Sequence, residues 1–171
     1  MKKNLILFSF LFLLSCQEKQ ASFAPIGQQK KQKSEMRISM DRNRALNEIE
    51  REDIAKWIET SGGQYYLMPL NYWTDIENLS SREPNEVSEK VSFAFYLYDF
   101  DEVLIYKKPI SYRDIPIEKI PDLEVMRDVM KYLKVGEEVN LLVPSILAYG
   151  TNGDGKKIGH DIPLIIKIKR L

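Results

Sequence analysis

The chain has one cysteine, Cys16, and one histidine, His160. A lone thiol excludes an internal disulfide, and a lone histidine with no cysteine near it excludes the usual zinc-ligand sets. Neither sign of charge is in excess, with 25 Lys plus Arg against 25 Asp plus Glu, so composition gives no electrostatic reason to expect a nucleic-acid partner. Long apolar runs are also missing. The one such stretch, Asn4 to Ser15 (NLILFSFLFLLS), is shorter than the ~20 residues a membrane-spanning helix needs. Gly150, Gly153 and Gly155 with Lys156 and Lys157 lack the Gly-Lys-Ser/Thr and following helix of a phosphate loop. Ser145, directly after Pro144, lacks the strand-elbow-helix setting of a hydrolase nucleophile.

What is present begins with a leader. Lys2 and Lys3 precede the apolar run, as in a secretory signal, and Leu13-Leu14-Ser15-Cys16 resembles the bacterial lipobox. That resemblance implies cleavage before Cys16, palmitate or a similar lipid on its thiol, and an exported protein held on the outer membrane or the periplasmic side. An intermolecular linker or an incidental thiol are the alternatives for Cys16. Residues 1–15 are therefore set apart from the fold. About 155 of the 171 residues remain, enough for one modest domain and a tether.

Residues 16–40 are rich in Gln, Lys and Ser, contain Pro25 and Gly27, and show no periodic apolar face; they read as the lipidated cysteine and a flexible tether. Gln17 to Arg44 carries seven Lys or Arg and three Asp or Glu. That excess either leans on an anionic membrane surface or keeps a linker soluble. Asp41 suits an N-cap for a helix within residues 41–63, with Leu46, Ile49, Ile54, Trp57 and Ile58 on one side and Gly62-Gly63 as its left-handed end.

Within residues 64–171, strands are expected at Gln64–Leu70, Val91–Tyr98, Val103–Tyr106, Glu138–Val143 and Pro163–Leu171, the second and third forming an antiparallel pair around Asp99–Glu102. A helix is predicted over Ile120–Leu133, with Pro121 near its start and Leu123, Met126, Met130 and Leu133 at helical spacing. Antiparallel strands around one short apolar helix make an α+β domain.

Val135-Gly136-Glu137-Glu138, then Leu141-Leu142-Val143-Pro144-Ser145-Ile146-Leu147-Ala148-Tyr149-Gly150, then Ile158 and Pro163-Leu164-Ile165, resemble the FKBP family of peptidyl-prolyl cis-trans isomerases. The likeness covers about half the chain, from Val91 onward. With the leader, tether and extra helix, the whole resembles the gliding-motility-associated lipoprotein isomerases of gliding bacteria. The resemblance implies an FKBP-like antiparallel sheet wrapped around a short helix, proline-containing polypeptide clients, a lipid membrane reached through Cys16, and no cofactor or metal.

It also implies a site. Tyr149, Phe95 and Ile158 would be catalytic, the Tyr149 hydroxyl donating to a substrate carbonyl and the Ile158 backbone orienting the peptide. Ile105, Tyr106, Met126 and Ile166 would complete the substrate cup. An apolar residue on a strand or helix is as readily plain core, and Tyr149 could simply brace its loop. Tyr106 stands where the family has a pocket Asp, and Met126 and Ile166 where it has aromatics. A register shift in the first loop would let Asp99 or Asp101 supply the carboxylate. Two readings stay open: an isomerase for exported or outer-membrane proteins, and a non-catalytic peptide-binding or scaffold module in a membrane-associated assembly.

Overall fold

The computed structural model describes residues 26–121 and 123–171, with side chains from residue 33. The expected signal peptide, Cys16 and the first part of the tether lie outside the described residues. Contacts divide the chain into two units, Met1–Ile38 and Ser39–Leu171; the described part of the first is the opening of a helix, exposed over residues 33–38. Among the described residues no helix is long and apolar enough to cross a membrane, and no acidic, His or Cys cluster could hold a metal ion.

Alternation decides the sheet. In β3 (Lys90–Tyr98) Val91, Phe93, Phe95 and Leu97 are buried while the residues between them are not, the period-two pattern of a strand with one face on the core. β5 (Glu138–Val143) and β6 (Leu164–Arg170) break that pattern: Leu141 and Leu142 are both buried, as are Leu164, Ile165 and Ile166. Consecutive buried residues require cover on both faces. One cover is α2 (Glu124–Met130), whose Val125, Met126, Val129 and Met130 join Phe93, Phe95, Leu97, Leu141, Ile166 and Ile168 in the main core. The other is α1 (Ile26–Ser61), which brings Ile54, Trp57 and Ile58 onto Leu142 and Ile165.

With β1 (Tyr66–Leu67), β2 (Trp73–Thr74) and β4 (Ile110–Pro116), the strands form one antiparallel sheet ordered β1-β2-β5-β6-β3-β4. Leu97 faces Ile166, which in turn faces Leu141. Buried Tyr72 donates to Asp128 Oδ2 at 3.0 Å, tying the β1–β2 connection to α2. Burial and the neighbouring carboxylate push the Tyr72 phenol well above its ordinary range.

Several expectations differ from what forms. The helix starts at Ile26, so residues 26–40 are helical and Asp41 is not its N-cap. Gln, Lys, Glu, Met and Arg are good helix formers even without an apolar stripe, and the missing stripe had read as disorder. Ile49 is 56% exposed, while Glu50 is buried on the inward face. The helix does end at a left-handed glycine, Gly62, with φ of 71°.

Val103–Tyr106 is no strand. After the Asp99–Glu102 turn it makes one bridge, Tyr98 to Leu104, and two backbone hydrogen bonds to the preceding strand and turn, Ile105 N to Leu97 O at 2.9 Å and Asp99 N to Val103 O at 3.2 Å. Pro109 has no N–H to continue the ladder, and β3 pairs instead with β4, which carries a bulge opposite Val91 to Phe93. β4 escaped notice because its residues are half-buried or exposed, as on a sheet edge. Gln64–Leu70 shrinks to Tyr66–Leu67, and Ile120–Leu133 to Glu124–Met130.

If α1 is part of the fold, Ile54→Ala, which empties a site 1% exposed, lowers unfolding free energy by about 3 kcal/mol in urea titrations of the chain from Gln17 onward. A loosely attached helix would leave the midpoint where it is.

Candidate functional site

The chain leaves β5 at Pro144, makes a 3₁₀ turn over Ser145–Leu147, reaches Tyr149, turns again over Gly150–Asn152 and returns to β6 through Ile158. This long loop is braced from within. Gly153 has φ of 63°, and a Cβ there would lie 2.3 Å from the Ile158 carbonyl oxygen, so only glycine fits. Asp154 then closes the turn: its N–H donates to Ile158 O at 3.1 Å, and its Oδ1 accepts from Lys156 N at 2.8 Å and Ile158 N at 2.9 Å.

α1 braces the same loop from behind. The buried Glu50 carboxylate accepts from Ser145 N at 2.7 Å and Ser145 Oγ at 2.6 Å. Arg42 reaches Asp161 Oδ2 at 2.6 Å near the loop's far end. Trp57 Nε1 donates to Phe100 O at 3.0 Å, holding the turn that precedes the opposite wall.

That opposite wall is residues 103–110, which run from the expected strand that does not form into the first residue of β4. Tyr106 donates its hydroxyl to Asp154 Oδ2. Lys157 Nζ donates to Ile105 O at 2.8 Å and lies 5.4 Å from the centre of the Tyr106 ring, within cation–π range. Between the two walls opens a groove of about 700 Å³, lined by Tyr106, Pro109, Ile110, Tyr149, Asp154 and lysine side chains. A cleft of about 160 Å³ beside Trp57, Tyr65 and Tyr98 lies on the other side of the sheet, remote from Tyr149.

Phe95, Ile105, Tyr106, Met126, Tyr149, Ile158 and Ile166 all meet in one hydrophobic cluster. Only Tyr106 and Tyr149 line the groove. Phe95 is 1%, Met126 0%, Ile158 4% and Ile166 0% exposed, so these four offer a ligand almost no surface. The Ile158 backbone, expected to orient a peptide, is engaged within its own loop: its N–H donates to Asp154 Oδ1 and its carbonyl accepts from Asp154 N. Asp99 accepts from Asp101 N and Val103 N and shapes its own turn; neither it nor Asp101 lines the groove.

The carboxylate at the groove is Asp154, which sequence reasoning missed. Asp154 stands between Gly153 and Gly155, a pattern that favours a turn, and nothing local shows that its carboxylate meets Tyr106. His160 is exposed, with Nδ1 2.5 Å from Thr151 O, in keeping with a surface loop role.

Partial burial works to raise the Asp154 pKa, but the hydrogen bonds from Tyr106, Ile158 and Lys156 outweigh it and hold the carboxyl below its ordinary value. The bond to Asp154 is also the main reason the Tyr106 phenol is raised. A carboxyl depressed in the folded state adds stability above its unfolded pKa and withdraws it as pH falls through the folded one. Unfolding free energy should therefore decline as pH drops below about 4. Asp154→Asn should flatten that decline in urea titrations between pH 3 and 7, and should speed amide exchange at Lys156 and Ile158.

No protein-family profile matches the sequence, and no curated protein matches it. The fold has counterparts among solved structures. FkpA from Escherichia coli is 18% identical, with 85% of this chain and 67% of that one covered and a TM-score of 0.55. A peptidyl-prolyl cis-trans isomerase from Pseudomonas syringae pv. tomato is 15% identical, with 75% and 92% covered and a TM-score of 0.53. At such identities the likeness concerns architecture, and the architecture is α+β and FKBP-like.

Proposed function

We propose that this chain is an FKBP-type peptidyl-prolyl cis-trans isomerase. The observation that carries the reading is a groove lined by Tyr149 and Tyr106, between two loops of an FKBP-like fold. Rotating an X-Pro amide meets a barrier of ~18–20 kcal/mol, breaks no bond and needs no nucleophile or metal. What helps is an apolar seat for the proline ring, removal of water from the amide and a hydrogen bond to its twisted form. Pro109, Ile110 and the two tyrosine rings supply the seat, and the Tyr149 hydroxyl is the donor to the carbonyl.

The cup is shallow, because Phe95, Met126 and Ile166 are buried and the Ile158 N–H is engaged within its loop. Turnover is accordingly slow. The same observation favours a second reading, a module that holds a peptide or docks into an assembly without isomerising it.

Export and anchoring belong to the proposal as well. The leader and Cys16 support a lipoprotein on the outer membrane or the periplasmic side, assisting exported or outer-membrane clients. The order of leader, tether, helix and domain supports a place among the gliding-motility lipoproteins. Cys16→Ser should abolish palmitate labelling and release the protein from the membrane fraction; unchanged labelling would remove the anchor.

The direct test is the cis-to-trans rate of short X-Pro peptides with the chain from Gln17 onward. The folded native chain should accelerate it. Tyr149→Phe should lower kcat/KM by roughly three- to tenfold, the scale of one hydrogen bond, and Tyr149→Ala by more. No acceleration from a folded native chain would transfer the assignment to the peptide-binding reading.

A further inference from the structure

The groove gathers Lys107, Lys108, Lys156 and Lys157 against one carboxylate, Asp154. This is a local concentration, since the whole chain balances 25 basic against 25 acidic residues. Elsewhere several exposed lysines sit against acids: Lys56 with Asp53, Lys90 with Asp114, Lys169 with Glu138. At the groove the pattern changes. Lys107, Lys108 and Lys156 are exposed and form no ion pair among the described residues.

Asp154 does not offset them through contact. Its two oxygens are engaged by Tyr106, Lys156 N and Ile158 N. Lys157 is spent on the Ile105 carbonyl and the Tyr106 ring. Three ammonium groups therefore surround an opening whose other lining is Pro109, Ile110 and tyrosine rings. Such a surface discriminates by charge at its rim and by apolar contact at its centre.

Resting on the reading of this groove as a prolyl-peptide site, we propose that its occupant is an acidic polypeptide segment, a proline with Asp or Glu within a few residues on either side. The proline ring sits against Pro109, Ile110 and Tyr149, while the flanking carboxylates meet Lys107, Lys108 and Lys156. The lysines then set which prolines are served and do not take part in the rotation.

The test uses the full-length chain in neutral detergent and three labelled X-Pro peptides, alike except for Glu, Gln or Lys beside the proline. Binding is read by fluorescence anisotropy and isomerisation on the same peptides. The Glu peptide should bind roughly fivefold tighter than the Gln peptide and the Lys peptide weakest, with the spread collapsing to under about twofold when salt rises from 0.05 to 0.5 M. The triple variant Lys107→Glu, Lys108→Glu, Lys156→Glu should invert the order.

Equal affinities for the three peptides overturn the proposal, as does absence of binding to all of them. If the Glu peptide binds best but none is isomerised, the charge preference stands and the isomerase reading falls. If all are isomerised and bound alike, the reverse holds. Should the native chain, but not the triple variant, favour anionic over neutral vesicles while showing no peptide preference, the lysines serve a membrane surface and the proposal is overturned.

Discussion

A buried carboxylate has to be satisfied, and Glu50 is satisfied entirely by Ser145. Removing an ionised carboxyl from water costs several kcal/mol unless hydrogen bonds replace the lost solvent. Here a backbone N–H and a hydroxyl of one residue do so, across 95 positions of sequence. The bond fixes α1 against the sheet, fixes the start of the long loop against α1, and sets where the chain stands when it reaches Tyr149. Arg42 with Asp161, and Trp57 with Phe100, repeat the device at the loop's end and at the neighbouring turn. α1 thus acts as the loop's back wall.

The same economy explains the groove. One wall is held by Asp154, which bonds its own loop and reaches across to Tyr106; the other runs from a single bridge with β3 to the start of β4. Closing the loop spends the backbone of Ile158, and filling the core spends Phe95, Met126 and Ile166. What is left facing solvent is two tyrosines, a short apolar strip and lysines. The chemistry available is accordingly contact, exclusion of water and hydrogen bonding.

Much of the frame was legible in the sequence because it obeys local rules. The alternation of Val91 to Leu97, the unbroken apolar runs in β5 and β6, the spacing of Met126 and Met130 and the Gly62 terminus each announce themselves within a few residues. The long loop stood out through Ala148-Tyr149-Gly150. What escaped depends on partners distant in sequence. Glu50 reads as a surface charge until Ser145 is placed beside it, and Asp154 reads as a turn residue until Tyr106 arrives. β4 was hidden because an edge strand buries too little to show a period. Helical residues 26–40 were hidden because propensity without an apolar face resembles a linker.

The two ends of the sheet have a consequence of their own. β1 offers only two residues, and β4 is kinked by Asp114, whose φ is 51° and whose side chain pairs with Lys90. A long, flat outer strand displays a row of unpaired amides and carbonyls on which another chain can align. Stunted on one side and bent on the other, this sheet gives an unfolded polypeptide no such template. The sheet is thereby poorly suited to growing by edge-to-edge pairing with a further strand.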